Sequence, residues 1–148
     1  MLKLFSLLIC ATFSYCAESQ INFRNKDLKN EVDTFLHDLK KNNTEIISII
    51  CETTKKEDSV FISMSNGHPD IKRIKAYAKY KGIYFCLGGD FPTKEYFVVK
   101  NPEPVPPELK KAYEKRKKES TAVFYEPFTI YLTFYKCKLV ESVVANGV

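Results

Sequence analysis

The sequence predicts an α+β fold, with a six-strand, mainly antiparallel sheet built from three helix-hairpin units and the helices on one face. Segments with apolar residues at helical spacing alternate with segments rich in β-branched and aromatic residues, which are typical of strands. Each helical segment precedes two strand segments separated by turn residues. Strands joined as hairpins pair antiparallel, so this order favours one sheet, either open or curved toward a barrel.

The chain opens with a segment typical of a secretory signal peptide, residues 1–16. Lys3 gives it a basic start, an apolar run of about ten residues follows, and small residues suit a cut before Ala17 or just after it. The run is too short to span a bilayer, which needs about 20 apolar residues. The expected mature chain, residues 17–148, is secreted and long enough for one domain with its own core.

The first unit begins with a helix over residues 25–41, capped by Asn25 or Asp27. The apolar residues of this helix form one stripe, which consists of Leu28, Val32, Phe35, Leu36 and Leu39. The isoleucine-rich segment 44–54 and the alternating segment 59–65 are separated by the turn sequence KKED. These two segments predict the first hairpin.

The second unit is predicted to begin with a helix that starts at Pro69 and ends at Gly82, because proline suits a first helical position and glycine a last one. Its narrow apolar stripe consists of Ile71, Ile74 and Ala78. Strands over residues 83–87 and 95–99 follow, joined by GGDFPTK. The glycine pair in this turn permits a tight reversal, so these strands form the second predicted hairpin.

The third unit follows a proline-rich connector, residues 101–107, which is stiff and extended because proline fits neither a helix interior nor a central strand. A short, very basic helix is predicted over residues 108–119. Segments 120–126 and 128–140 then form the third hairpin, turning at Pro127.

The cysteines that remain after export are Cys51, Cys86 and Cys137, an odd number. This predicts one bridge with a free thiol, or a disulfide-linked dimer. Cys86 and Cys137 share the tyrosine side of strands expected to be neighbours, so the preferred bridge is Cys86–Cys137, with the other pairings open. Cys51 continues an apolar row, which favours a buried thiol, although a dimer through Cys51 stays possible. Asn42, in the sequence NNT, is a predicted glycosylation acceptor.

Catalytic and metal chemistry find little support in the sequence. The histidines are His37 and His68, and a set of Cys51, His68 and Asp70 has no local motif behind it. No cysteine or histidine spacing fits a metal site, and no glycine-rich phosphate loop is present. We therefore expect a non-enzymatic protein without a metal or other cofactor.

The preferred function is a secreted binding protein that recognises a macromolecular partner or a small apolar ligand. Tyrosines recur on one side of the predicted strands, and tyrosine combines a large contact area with a polar tip. We expect a single accessible face formed by Tyr84, Tyr96, Tyr131 and Tyr135.

Two other function classes stay open. The first is electrostatic binding of sulfated glycans or anionic surfaces through the basic helix, with the candidate residues Lys110, Lys111, Lys115, Arg116, Lys117 and Lys118. The second is a small extracellular enzyme of unrecognised type. Removal of Lys3 with the leader leaves 22 basic and 18 acidic side chains, and this mild net charge of +4 argues against a nucleic-acid partner.

Overall fold

The computed structural model describes residues 17–39, 47–54, 58–67, 69–90, 94–119 and 127–145. The predicted signal peptide, the predicted glycosylation acceptor Asn42, His68 and the predicted strand 120–126 lie outside these residues. Within the described residues the chain is mostly sheet, with two short helices.

The strands are β1 (Gln20–Phe23), β2 (Ile47–Thr54), β3 (Ser59–Ser65), β4 (Ile74–Tyr80), β5 (Ile83–Gly89), β6 (Phe97–Lys100), β7 (Thr129–Tyr135) and β8 (Lys138–Ala145). The helices are α1 (Lys26–Leu39) and α2 (Pro107–Glu119), with a single 3-10 turn over Ile71–Arg73. The strand order is β6-β1-β4-β5-β2-β3-β7-β8. The pairs β1–β4 and β2–β5 are parallel and the others antiparallel, and this mixed sheet curls into a half-barrel.

Helix α1 supplies the apolar surface against which the sheet closes. Asn25 caps it, since its side-chain oxygen accepts a hydrogen bond from the Leu28 backbone N–H at 3.0 Å. The predicted stripe is buried in full, and it shares one hydrophobic cluster with alternate residues of the strands, such as Ile49, Ile62 and Phe134. We call the side of the sheet that carries these residues the inner face, and the opposite side the outer face.

Polar contacts hold α1 in place at both ends of the strand order. The carbonyl oxygen of Tyr96 accepts hydrogen bonds from the backbone N–H groups of Arg24 and Asn25. Toward β8, the Asn25 side-chain amide donates to the Cys137 carbonyl at 2.6 Å, and Asp27 accepts from the Leu139 N–H. The helix start is therefore anchored to the segment before β6 and to the opposite edge strand.

The prediction of three helix-hairpin units in a six-strand, mainly antiparallel sheet is wrong. The first helix, the β2–β3 hairpin and the basic helix are confirmed, the last beginning at Pro107. The helix predicted from Pro69 to Gly82 is instead the 3-10 turn followed by β4. Its buried residues Ala76, Ala78 and Tyr80 recur with a period of two, and pairing with β5 outweighs the helical stripe.

The turn after β4 explains why a helix-ending glycine was a misleading signal. Lys81 and Gly82 both have positive φ, at 50° and 78°, and they link two strands that pair from Tyr80 and Ile83. A two-residue hairpin turn with positive φ at both positions favours glycine for the same steric reason as a helix end. Local sequence alone therefore does not separate the two structures.

The second predicted hairpin also fails, because β6 pairs with β1 and not with β5. The glycine pair does not form a turn, since Gly88 and Gly89 lie within β5 beside Ile50 and Cys51 of β2. A Cβ at Gly88 would collide with the Arg73 carbonyl oxygen, so the glycine permits a close backbone approach.

The last predicted strand, residues 128–140, is two strands. β7 and β8 are joined by Lys136 and Cys137, which have φ of 46° and 63° and form a tight turn. β7 pairs with β3 on its other side. The segment 120–126, predicted as its hairpin partner, lies outside the described residues. Among the described residues, no helix is long and apolar enough to cross a membrane.

Candidate functional site

Four exposed large apolar side chains of the outer face lie together on the last three strands of the sheet. Phe61 of β3, Tyr131 and Tyr135 of β7 and Val143 of β8 are 41%, 53%, 46% and 46% exposed. We call these four residues the exposed patch. A contiguous exposed apolar surface of this kind marks an interaction site more often than scattered apolar residues do.

Strand periodicity and register bring the exposed patch together. On β7 the side chains of Ile130, Leu132 and Phe134 point inward and are buried, so Tyr131 and Tyr135 point outward. Tyr131 pairs across the ladder with Val143 on one side and with Ser63 on the other. Phe61 pairs with Thr133, which lies between the two tyrosines on the same face, so its ring is diagonal to both.

The outer face over β4 and β5 has a different structure. The rings of Tyr77 and Tyr84 stack with centroids 4.4 Å apart and planes 2° from parallel. The Lys79 ammonium lies 4.9 Å from the centre of the Tyr84 ring and makes a 2.8 Å ion pair with Glu18. The Tyr84 hydroxyl donates to the carboxylate of Glu103. We call these five residues the covered half.

The proline-rich connector contributes to the covered half through Glu103. The backbone N–H of Glu103 donates to the Tyr77 carbonyl oxygen at 2.8 Å and forms an isolated bridge beside β4. Pro102 and Pro104 flank Glu103 and have no N–H, so Glu103 is the residue of this triplet that can add to the sheet. Its carboxylate also accepts a 2.8 Å hydrogen bond from the Ser19 hydroxyl.

The four predicted tyrosines do not form one face. Tyr131 and Tyr135 lie together in the exposed patch, whereas Tyr84 lies on β5, separated from β7 by β2 and β3. At about 4.8 Å per strand, this separation is roughly 14 Å. Tyr96 lies against the core, 2% exposed, with its ring edge-on to Phe134 at 5.2 Å.

Tyr96 instead lines a cavity of about 390 Å³ together with Glu95 and Cys137. The Cys137 thiol donates a 3.2 Å hydrogen bond to the Glu95 carboxylate. Burial, and then this hydrogen bond, raise the pKa of the Cys137 thiol. Burial and a hydrogen bond to Cys137 likewise raise the pKa of Tyr96. Both groups are therefore held protonated, which disfavours Cys137 as a nucleophile.

The three described cysteines are free, so the structure contains no Cys86–Cys137 bridge. The premise of that prediction does not hold, because β2 and β3 lie between β5 and the β7–β8 turn. This spacing exceeds the Cα separation that a disulfide can span. Cys51 is buried in the core as the sequence predicted, so a dimer through its thiol would require local opening. Cys137 is the more accessible thiol.

A second concavity, of about 610 Å³, lies where the 3-10 turn meets β2 and β3. Its charged lining consists of Lys72, Arg73, Lys75, Glu52 and Asp90. Arg73 and Glu52 form a 2.6 Å ion pair. The opposite charges largely balance, so this concavity has no strong preference for an anion.

The basic residues predicted for glycan binding lie on α2, where the described side chains of Lys110, Lys111, Lys115 and Lys118 are exposed. The side chains of Arg116 and Lys117 are outside the described set. A hydrogen bond between Tyr113 and Asp70 ties α2 to the segment before the 3-10 turn. The structure therefore fixes one face of this helix and leaves its lysines facing solvent.

Sequence reasoning missed two residues of the exposed patch. Phe61 could have been found, because the inward row Val60, Ile62 and Met64 places it on the opposite side. Val143 lies in a segment that was not assigned to a strand, and its position depends on pairing with β7. Among the described residues, no group of three or more His, Cys, Asp or Glu could hold a metal ion.

No protein-family model, no curated protein and no solved structure matches the chain.

Proposed function

We propose that the protein is a secreted, non-enzymatic binding protein that recognises a macromolecular partner through the exposed patch. The observation that carries this proposal is the contiguity of Phe61, Tyr131, Tyr135 and Val143 on three neighbouring strands. Buried interface cores are enriched in Tyr and Phe, and such rings bury a large area at a low cost in side-chain entropy.

The shape of the site favours a macromolecule over a small apolar ligand. Small ligands are usually enclosed in a cleft that buries most of their surface. Tyr131, Tyr135 and Val143 line neither of the two described concavities, and only Phe61 of the exposed patch borders one of them, the charged concavity beside the 3-10 turn. Polar side chains, including Ser63 and Thr133, lie between the rings and can form hydrogen bonds with a partner.

The chemistry of the described residues supports a role without catalysis. The histidine among them, His37, lies exposed on α1. Burial raises the pKa of the Cys51 thiol to about 12, so at neutral pH this thiol is not a nucleophile. The Cys51, His68 and Asp70 set therefore lacks its reactive member.

The test is a binding screen of the purified mature chain against a panel of extracellular protein domains. The key variant is Tyr131→Ser with Tyr135→Ser, and the matched control is Lys110→Glu with Lys111→Glu on α2. We expect a partner whose affinity falls at least tenfold in the tyrosine variant and stays unchanged in the lysine variant. A panel in which every partner binds both variants equally would refute this function.

The exposed lysines of α2 support a second candidate, binding of sulfated glycans. Their side chains project from a helix that is anchored on its other face through Tyr113. Elution from immobilised heparin should then need less salt for Lys110→Glu with Lys111→Glu than for wild type. The matched control is Lys26→Glu with Lys100→Glu, which makes the same charge change at exposed positions outside α2. If both variants lower the salt concentration needed for elution equally, net charge explains the effect and α2 is not a glycan site.

A further inference from the structure

β8 forms one edge of the described sheet, and among the described residues the hydrogen bonds from α1 to this edge reach Leu139 and Ser142. Asp27 of α1 accepts a hydrogen bond from the Leu139 backbone N–H, and Glu31 accepts one from the Ser142 hydroxyl. Within the described ranges no strand pairs with the side of β8 that faces away from β7. An open edge of this kind is a template for pairing with another strand.

The direction of the free backbone groups follows from the register. Residues of an antiparallel ladder alternate between facing the neighbouring strand and facing away from it. The contact with Asp27 shows that the N–H of Leu139 faces away from β7. The bulge at Val140 then places Glu141 opposite Thr133. From this point Glu141 and Val143 face β7, whereas the backbone groups of Ser142 and Val144 face outward.

We propose that a second copy of this chain pairs antiparallel with β8, with the two-fold axis at Val143. In this register Ser142 of each copy lies opposite Val144 of the other, so the outward N–H and C=O groups of both residues find partners. Both side chains lie on the inner face, and the two Val143 side chains meet on the outer face, so every pair shares a face. Among the registers that use only described residues, this one gives hydrogen-bond partners to the largest number of outward-facing N–H and C=O groups of β8.

Self-pairing of β8 fits better than pairing with the other described edge, β6. β6 has four residues, against eight in β8. Joining β8 of one copy to β6 of another would also leave a free edge at each end and extend into chains, whereas a two-fold contact closes at the dimer. Val143 and Val144, 46% and 50% exposed, would become covered.

The dimer would also extend the exposed patch, although this inference does not depend on the proposed function. Tyr131 is the direct neighbour of Val143 on β7. Pairing at Val143 would therefore bring the two copies of Tyr131 toward each other across the two-fold axis and join the two patches on one continuous outer face.

The test is sedimentation velocity of the mature chain over a concentration series, in reducing buffer. We expect a reversible monomer–dimer equilibrium for wild type. Val143→Lys and Val143→Glu each place like charges directly opposite across the axis, and each should weaken dimerisation about tenfold or more. A mixture of the two variants should recover the dimer, because opposite charges then face each other.

Two controls exclude other dimers. Val140→Lys changes a β8 valine that is 60% exposed but lies at the bulge, outside the proposed pairing, and it should leave the equilibrium unchanged. Cys137→Ser should also have no effect. A wild-type chain that stays monomeric in reducing buffer at its highest soluble concentration would overturn the proposal. So would a dimer that forms only when the reductant is left out, because that dimer would be held by a disulfide. So would equal weakening by Val140→Lys and Val143→Lys.

Discussion

The outer face of the sheet contains two tyrosine-rich regions, of which one is covered by other parts of the chain and the other is exposed. In the covered half, Tyr77 and Tyr84 stack on each other, and Glu103 accepts a hydrogen bond from the Tyr84 hydroxyl. In the exposed patch, Tyr131 and Tyr135 are about half exposed and lie beside Phe61 and Val143. The same residue type is therefore held by contacts within the fold on one side and exposed to solvent on the other.

The difference comes from what the chain lays beside each region. After β6 the proline-rich connector returns along β4 and places Glu103 next to Tyr77 and Tyr84. Residues before β1 add Glu18 and Ser19 to the same surface. Tyrosine content alone is therefore a poor indicator of a binding site, and the coverage of each ring must be known.

The largest expected effect is on stability, from removing a tyrosine in each region. Tyr84→Ala loses a stacked ring and leaves the Glu103 carboxylate with one donor fewer, so we expect a loss of about 2 kcal/mol in the free energy of unfolding. Tyr131→Ala should change it by no more than about 0.5 kcal/mol, since the ring is exposed. Urea unfolding followed by circular dichroism, at a concentration where the chain is monomeric, measures both. Equal losses would remove the distinction between the regions.

A smaller effect is expected from neutralising the carboxylate that covers Tyr84. Glu103→Gln keeps the shape and one acceptor oxygen but loses charge-assisted hydrogen bonds from Ser19 and Tyr84, which should cost about 1 kcal/mol. Glu141→Gln, at an exposed position on the outer face of β8, is the matched control and should be neutral within about 0.5 kcal/mol. Urea unfolding followed by circular dichroism measures the free energy of unfolding of both variants. No loss in Glu103→Gln would mean that the Glu103 carboxylate does not stabilise the covered half.

The smallest effect concerns the turn of the β4–β5 hairpin, which α1 holds through Asp33. Burial acts to raise the pKa of Asp33, but hydrogen bonds from Lys81, Lys29 and Tyr80 outweigh it and lower the pKa below its ordinary 3.8. A pKa that is lower in the folded state contributes stability that is present above pH 3.8 and lost as the pH falls through the folded value.

We therefore expect Asp33→Asn to be less stable than wild type at neutral pH by less than about 1 kcal/mol. The gap should close as the pH falls below about 3.8, because the wild-type carboxylate then becomes protonated. Asp38→Asn, at an exposed position on the same helix, is the control. Thermal unfolding across this pH range measures the gap, and a constant difference at every pH would contradict the assignment.

Elements whose signal is local were predictable from the sequence. The stripe of α1 and its Asn25 cap, the β2–β3 hairpin and the start of α2, predicted one residue late at Glu108, all depend on residues close together in the sequence. The burial of Cys51 followed from the row that it continues. In each case one periodicity was clear and no competing structure used the same residues.

The elements that were predicted wrongly or missed are those in which pairing with a distant segment decides between two secondary structures that the local sequence allows. The segment after Pro69 carries both a helical stripe and an alternation, and pairing of β4 with β5 selects the strand. β1, four residues long, was not predicted, and it depends on its pairing with β6 and β4. For the same reason the tyrosines were placed on one face, since their lateral order follows strand order and not sequence order.

Where the sequence correctly predicted a strand, it also determined which side of that strand a residue occupies, because alternation is a property of the extended backbone. It placed Tyr131 and Tyr135 opposite the buried row of β7 without any tertiary information. The tertiary structure alone decided which strands are neighbours, and so which of those outward residues are covered and which strands lie at the edges of the described sheet. Strand order is set by contacts between segments far apart in the chain, and these contacts leave no period in the local sequence.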